Sequence, residues 1–171
     1  VACYAVISYI VFPVQYFLTG IGEGVQPLIS FYHGAKKEME VRAVKKIAYT
    51  AEIIFGITAA AVTICMIPYI GGWFGLSAES KQCFSSGMLI SSFAFLLTGT
   101  AKLNVSCLNA VMQTKKAVFM TYIESLAVSP ICLFLLPAVW DIRGIWLALP
   151  VTAGIMTGIY GLIRKDRKNE E

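Results

Sequence analysis

The chain has 171 residues, of which 57% are hydrophobic and 14% charged, with a net charge of +4 and a mean hydropathy of +0.71. A soluble domain averages about 25% charged residues, so this composition excludes a soluble enzyme and a disordered chain. The small positive excess, without a basic stripe of interleaved aromatics, excludes nucleic-acid binding. The five cysteines form no CxxC pair and have no neighbouring histidine. We therefore expect no metal site and no disulfide framework.

Five segments are long and apolar enough to cross a membrane, because a span of the hydrocarbon core needs about 20 apolar residues. They are apolar on all sides, and none alternates polar with apolar residues, which predicts helices rather than a transmembrane barrel. The sequence therefore predicts an all-α fold, a polytopic transmembrane bundle over residues 1–163 with a charged tail at 164–171. The predicted spans are residues 2–32, 42–70, 82–112, 117–140 and 144–163.

In the first span, three glycines precede Pro27, and we expect the helix to bend there and to continue as an amphipathic extension to about Gly34. The same small residues also favour close helix packing. The glycine spacing does not match a nucleotide fingerprint, since no strand precedes it. This first stretch begins inside an apolar run, so we expect the chain to be a piece of a longer protein.

Basic residues decide the predicted orientation. Eleven of the fourteen lie in the first and third connections and in the tail, all on one side of the predicted bundle. By the positive-inside rule this side is cytoplasmic, so the C-terminus is inside and Val1 begins outside. The eleven are Lys36, Lys37, Arg42, Lys45, Lys46, Lys115, Lys116, Arg164, Lys165, Arg167 and Lys168.

Three stretches carry a family resemblance. Residues 20–37 read GIGEGVQPLISFYHGAKK, residues 107–117 read CLNAVMQTKKA, and residues 144–150 read GIWLALP. The first resembles the signature that closes the eighth helix of the multidrug and toxic compound extrusion (MATE) family. The other two are similar to the end of that family's tenth helix and the start of its twelfth. The motif positions that carry the resemblance are Gly24, Gln26, Pro27, Gly34, Ala110 and Gly144.

The resemblance implies that the five spans correspond to helices eight to twelve of a two-lobed bacterial transporter, in the branch of DinF-like and MepA-like pumps. It implies a multi-pass protein of the bacterial inner membrane, not an enzyme, whose partner is a missing N-terminal lobe of the same transporter. The implied function is efflux of organic cations or amphipathic drugs by alternating access. The coupling ion would be Na⁺ or H⁺, without any other cofactor.

Charged side chains inside the membrane are costly and mark candidate functional sites. Lys102 lies 13 residues before Lys115, about 20 Å along a helix, and Glu124 lies eight residues past Lys116, about 12 Å along the next. The two depths differ by about 8 Å, so a direct pair requires tilt or side-chain reach. In one interpretation Glu124 binds protons or cations, and Lys102 changes its affinity for them. In the other, the two residues form a fixed structural pair, or Lys102 extends toward a cavity while Glu124 reaches the interface.

Three further polar residues are candidates. Gln15, in the first span, is predicted to face a lumen or to hydrogen-bond between helices. Glu23 lines the cytoplasmic mouth of the path or is a solvated cap at the helix break. Glu52 is predicted to meet lysine or water at the interface, because it lies only six residues past Lys46.

Two other functions stay open at this point. One is a lipid-linked sugar flippase of the same superfamily, although Lys102 is the only intramembrane cation once the basic residues of the predicted cytoplasmic connections are set aside. The other is a membrane scaffold or channel subunit whose polar residues only hold helices together.

Overall fold

The computed structural model describes the backbone of residues 2–75 and 78–170, and the side chains of 3–75 and 80–163. Within these ranges the chain forms long helices joined by short turns. In chain order they are α1 (Ala2–Gly34), α2 (Glu38–Trp73), α3 (Ala78–Ala110), α4 (Thr114–Ile123), a π-helical stretch called here the π segment (Glu124–Val128), and α5 (Ser129–Glu170). The fold is an all-α bundle, as predicted.

Four helical stretches in the described residues are long and apolar enough to cross a membrane, one fewer than the five predicted: Cys3–Gly34, Glu38–Trp73, Ser80–Ala110 and Thr114–Ile163. The count is lower because α4, the π segment and α5 run on as one stretch of 50 residues. Its backbone is non-helical at Trp140 and at Asp141, where φ is 48° and ψ is −136°. This break divides the stretch into two arms, which occupy the last two predicted segments.

The α1–α2 and α3–α4 turns are built alike. After α1, Lys36 adopts the left-handed conformation, with φ of 57°, and the Lys37 N–H donates to the Tyr32 carbonyl. After α3, Met112 has φ of 59°, and the Gln113 N–H donates to the Leu108 carbonyl. This is the Schellman ending of a helix, which satisfies its last carbonyls. Two of the three stretches with the family resemblance thus contain the same kind of turn.

α3 is the central helix of the bundle. It packs against α1, α2, α4 and α5. Half of an apolar 18-residue segment of α3 is buried, against 6% of such a segment in the stretch from α4 to α5. Three apolar clusters surround it. One joins α1, α3 and α5 through Ile7, Phe84 and Trp146; a second joins the turn ends of α1, α2 and α3; a third joins α3, α4 and the second arm of α5.

The bundle also exposes many large apolar side chains, among them Tyr9, Tyr16, Phe31, Ile47 and Trp73. A soluble monomer rarely exposes apolar patches of this extent, whereas lipid solvates them. The exposed faces of the helices are therefore suited to a bilayer.

α1 is one helix through both Pro13 and Pro27. The predicted extension to Gly34 is part of it. Of the three glycines before Pro27, only Gly22 makes a close helix contact, since a Cβ there would lie 2.9 Å from Ser106 Oγ of α3. Gly20 and Gly24 face open space.

Candidate transport site

A cavity of about 250 Å³ lies between α1, α3, the start of the π segment and α5. This volume is close to the lower end of small-molecule sites, about 300 Å³. Its wall is mainly apolar with a few convergent polar groups, the composition typical of such sites. The polar and charged side chains of the wall are Ser8, Gln15, Ser91, Thr98, Lys102, Glu124, Ser129 and Thr152.

α1 contributes to the cavity at helical spacing. Tyr4, Ser8, Phe12 and Gln15 recur three or four residues apart, which places them on one face of the helix. Gln15, predicted to face a lumen or another helix, is half-buried and lies in this wall.

Lys102 and Glu124 form a direct ion pair at the cavity. The Lys102 ammonium donates to Glu124 Oε1 at 2.7 Å, a short, charge-assisted hydrogen bond. The side chain of Lys102 is 38% exposed and that of Glu124 20%. The pair is thus partly shielded and still reachable from the cavity. Glu124 is the first residue of the π segment, and such helix irregularities are frequent at functional sites.

The aromatic part of the wall comes from both ends of the sequence. The rings of Tyr4 and Trp146 stack with centroids 5.4 Å apart, and Phe12 also lines the cavity. Trp146 is buried against Gly87 of α3, because a Cβ on this glycine would lie 2.7 Å from the indole and 2.8 Å from Ile7 Cδ1. The absence of a side chain at Gly87 therefore sets the position of the indole.

Replacing Gly87 by alanine should displace Trp146 and lower the free energy of unfolding by about 1–3 kcal/mol, the usual cost of overpacking a core. Thermal unfolding in detergent measures this loss. Gly158→Ala is the matched control, since a Cβ there meets nothing within 4 Å. Truncating Trp146 to leucine in the Gly87→Ala background should recover stability; failure to recover would show that the indole is not the obstacle.

Two predicted candidates lie elsewhere. Glu23 is exposed and does not line the cavity, eight residues past Gln15 and so about 12 Å further along α1. Glu52 is 2% exposed, so the prediction that it meets lysine or water at the interface is wrong. Its carboxyl fits against Gly99 of α3, where the missing side chain leaves room for it.

The residues of the family motifs lie mostly at helix ends and contacts. Gly34 ends α1, and Ala110 ends α3 within the apolar cluster at the turns. Gly144 packs tightly against the backbone of Leu136 and Pro137 across the break in α5. Gly24 and Pro27 are exposed and Gln26 is half-buried, all three within α1.

Sequence reasoning did not single out Tyr4 or Trp146 as wall residues. Tyr4 shares the α1 face with Gln15 at a separation of 11 residues, which is three helical turns, so its position could have been inferred. Trp146 belongs to the third motif, but nothing in the sequence indicates that it reaches across to α1.

Comparisons with known proteins agree on one family. The family model MatE matches residues 1–135. No curated protein matches the chain significantly. Among solved structures, a mutant of the Vibrio cholerae MATE transporter VcmN matches with a TM-score of 0.86 at 22% identity. That match covers 100% of this chain and 39% of VcmN.

Two further structures agree. VcmN in the bent form has a TM-score of 0.84 at 21% identity, over 96% of this chain and 38% of that one. A multidrug resistance MATE family transporter of the MOP superfamily, in an outward-facing conformation, has a TM-score of 0.85 at 13% identity, over 97% and 38% of the two chains. The chain thus spans about two fifths of the length of these transporters. With most of its length matched by the family model, this chain belongs to the MatE family of membrane transporters.

Proposed function

We propose that this chain is the C-terminal lobe of a bacterial drug efflux antiporter, and that its cavity forms half of the substrate path. The observation that carries the proposal is the Lys102–Glu124 ion pair. Its ammonium nitrogen and carboxylate oxygen lie 2.7 Å apart in the wall of a cavity that is otherwise mainly apolar. Charged residues in membrane helices face cavities or partners and mark transport paths. The lobe requires an N-terminal partner lobe, because transporters of this design bind substrate between two repeated halves.

The wall suits an organic cation. Glu124 offers a negative charge, and the rings of Tyr4, Phe12 and Trp146 offer apolar and cation–π contacts. A cation that binds Glu124 competes with the Lys102 ammonium, and so does a proton. Exchange among these three partners at one carboxylate supplies the antiport step, with H⁺ or Na⁺ entering as drug leaves.

The basic residues support an orientation with the turns after α1 and α3 in the cytoplasm. Antiparallel helices bring these two turns to one end of the bundle, where Ile29, Val41 and Val111 pack together. That end carries Lys36, Lys37, Lys115 and Lys116. By the positive-inside rule this end faces the cytoplasm of a bacterial inner membrane, and the C-terminus lies on the same side.

A lipid-linked sugar flippase is the weaker alternative. A pyrophosphate headgroup needs several free cations, whereas the described wall of the cavity has Lys102 as its basic side chain, and that ammonium is already paired with Glu124.

Efflux in a pump-deficient cell tests the proposal. Cells that express the complete gene should extrude ethidium when a Na⁺ or H⁺ gradient is present and should accumulate it when the gradient is collapsed. Glu124→Gln should reduce extrusion at least tenfold, while Glu40→Gln, an exposed carboxyl outside the cavity, should not. Accumulation that does not depend on any gradient would refute the proposal.

A further inference from the structure

A second acidic residue lies inside the bundle, away from the wall of the cavity. Glu52 of α2 is 2% exposed, and it lies 14 residues, or about 21 Å, from the start of α2 at Glu38. Neither of its carboxyl oxygens has a hydrogen-bond partner within the described residues. Buried carboxyls in proteins are normally paired or hydrogen-bonded, so this one requires an explanation.

The site of the Glu52 carboxyl is built by three helices. Its oxygen occupies the space that a side chain at Gly99 of α3 would fill, and Leu18 of α1 closes the same space, with its Cδ2 3.0 Å from that Cβ position. One turn further along α2, a Cβ at Gly56 would lie 3.5 Å from Leu96 Cα of α3. We call this junction of α1, α2 and α3 around Gly99 the Glu52 seam.

Among the described residues of these three helices, the charged and titratable groups nearest to the seam along the chain have other partners or are exposed. On α2, the Tyr49 hydroxyl donates to Asn104 of α3. On α3, Lys102 is bonded to Glu124. On α1, the nearest acid along the helix is Glu23, which is exposed.

An ionised carboxyl in this position would be a buried charge without compensation, which costs several kcal/mol. Binding a cation removes that cost. A sodium ion needs several oxygen ligands, often carbonyls of unwound helices, but α1, α2 and α3 are continuous helices at the seam. A proton needs only the carboxyl itself.

We infer that Glu52 is a proton-binding residue of this transporter, separate from the Lys102–Glu124 pair, and that the Glu52 seam must open for the proton to leave. The bound proton does not depend on the proposed function; its release during transport does. Thr98, next to Gly99, lines the cavity, and its own buried hydroxyl lacks a hydrogen-bond partner in the described part of the chain. A single turn of α3 thus borders both the cavity and the seam.

Infrared spectroscopy of the purified complete transporter tests the bound proton. A protonated carboxyl absorbs infrared light at a different frequency from a carboxylate, and its band shifts in D₂O. The wild type should show this band at neutral pH, Glu52→Gln should lose it, and Glu40→Gln should keep it. Glutamine is nearly the same shape as a protonated glutamate, so the variant is expected to fold. An identical band in wild type and Glu52→Gln would overturn the inference.

A second variant tests the place of the proton without changing the acid. Gly99→Ala puts a Cβ where the carboxyl lies and should weaken the same band by forcing Glu52 out of the seam. Gly20→Ala, whose Cβ meets nothing within 4 Å, is the matched control and should leave the band intact. A band unchanged in Gly99→Ala would show that the proton is not held in the seam.

Release is tested by adding tetraphenylphosphonium to the transporter in proteoliposomes with a pH-sensitive dye. Wild type should release more protons on drug addition than Glu52→Gln, and the infrared band should fall. If the band is present but drug leaves it unchanged, Glu52 is a permanently protonated packing residue and the inference fails. If the wild type does not transport at all, the proposed function fails while the infrared result still decides whether Glu52 holds a proton.

Discussion

Lys102→Met should lower the free energy of unfolding by about 1–3 kcal/mol and remove most of the transport activity. Methionine keeps the length of the side chain but leaves the Glu124 carboxylate in the cavity wall without its 2.7 Å partner. Without Lys102, the partly buried Glu124 carboxylate has no interaction that offsets the free-energy cost of removing it from water. The loss of stability therefore exceeds the loss from breaking an exposed surface pair. The expected loss is smaller than for a fully buried pair because the Lys102 side chain is 38% exposed and water screens the interaction. Thermal unfolding in detergent and drug efflux measure the two effects.

A double-mutant cycle separates the ion pair from general packing. Lys102→Met combined with Glu124→Leu should be more stable than the sum of the single changes predicts, by about 0.5–3 kcal/mol. Neither Glu124→Leu nor the double variant should transport, because the proposed step needs the charge of Glu124. Additive stability losses would show that the two side chains do not interact energetically, despite their contact.

The turn between α1 and α2 provides the matched control. His33 Nδ1 lies 3.6 Å from Glu38 Oε1, and both side chains are exposed, by 37% and 61%. A contact between two exposed side chains contributes at most about 0–1 kcal/mol, even when both are charged. Glu38→Gln should therefore change stability far less than Lys102→Met, and should leave efflux unaltered.

Composition and charge placement were enough to predict the fold class. Long apolar runs predict membrane helices because only internally hydrogen-bonded segments are stable in lipid. The break within α5 explains the difference in the number of spans. Asp141 interrupts the helix with a positive φ, but the α4 to α5 stretch continues through it without a separate loop. Hydropathy predicts the boundary between the last two segments at this break, but it does not indicate that they are joined by a bend within one helical stretch and not by a loop.

The ion pair was predicted only as a possibility. Counting the rise along straight helices separates Lys102 and Glu124 by about 8 Å in depth. The structure brings the ammonium and carboxylate to 2.7 Å. Depth counting follows Cα positions and ignores the long, flexible stem of lysine, which carries the charge away from its own turn. It also assumes regular α-helix, whereas Glu124 begins the π segment.

The environment of Glu52 could not be read from its position in the chain. Six residues past a lysine pair, a glutamate has an interfacial depth, and this is why water or lysine was expected around it. Glu52 is buried because Gly99, on another helix and 47 residues further along the chain, has no side chain and so leaves room for the carboxyl. Periodicity describes which face of a helix is apolar, but it does not say which glycine on a neighbour opens a space.

Gly144→Ala should destabilise the protein more than Lys102→Met or Gly87→Ala. A Cβ at this buried glycine would collide with the Leu136 carbonyl and would lie 2.5 Å from the Pro137 nitrogen. All of these atoms belong to the backbone, so no rotamer change relieves the clash, and the two arms of α5 must separate. We expect a loss of about 3 kcal/mol or more, within the range of severe core disruptions.

Two comparisons make this prediction specific. Gly161→Ala, in the second arm of α5 with nothing within 4 Å of the Cβ position, should be neutral or stabilising by up to about 1 kcal/mol, the helix preference of alanine over glycine. The clash at Gly87 involves the Trp146 and Ile7 side chains and is relieved by truncating the indole, whereas the clash at Gly144 involves a carbonyl that every residue carries. Leu136→Ala should therefore fail to rescue Gly144→Ala. Thermal unfolding of Gly144→Ala, Gly161→Ala and the double variant with Leu136→Ala tests this explanation. If Leu136→Ala restored stability to Gly144→Ala, the clash would be with the Leu136 side chain and not with the backbone.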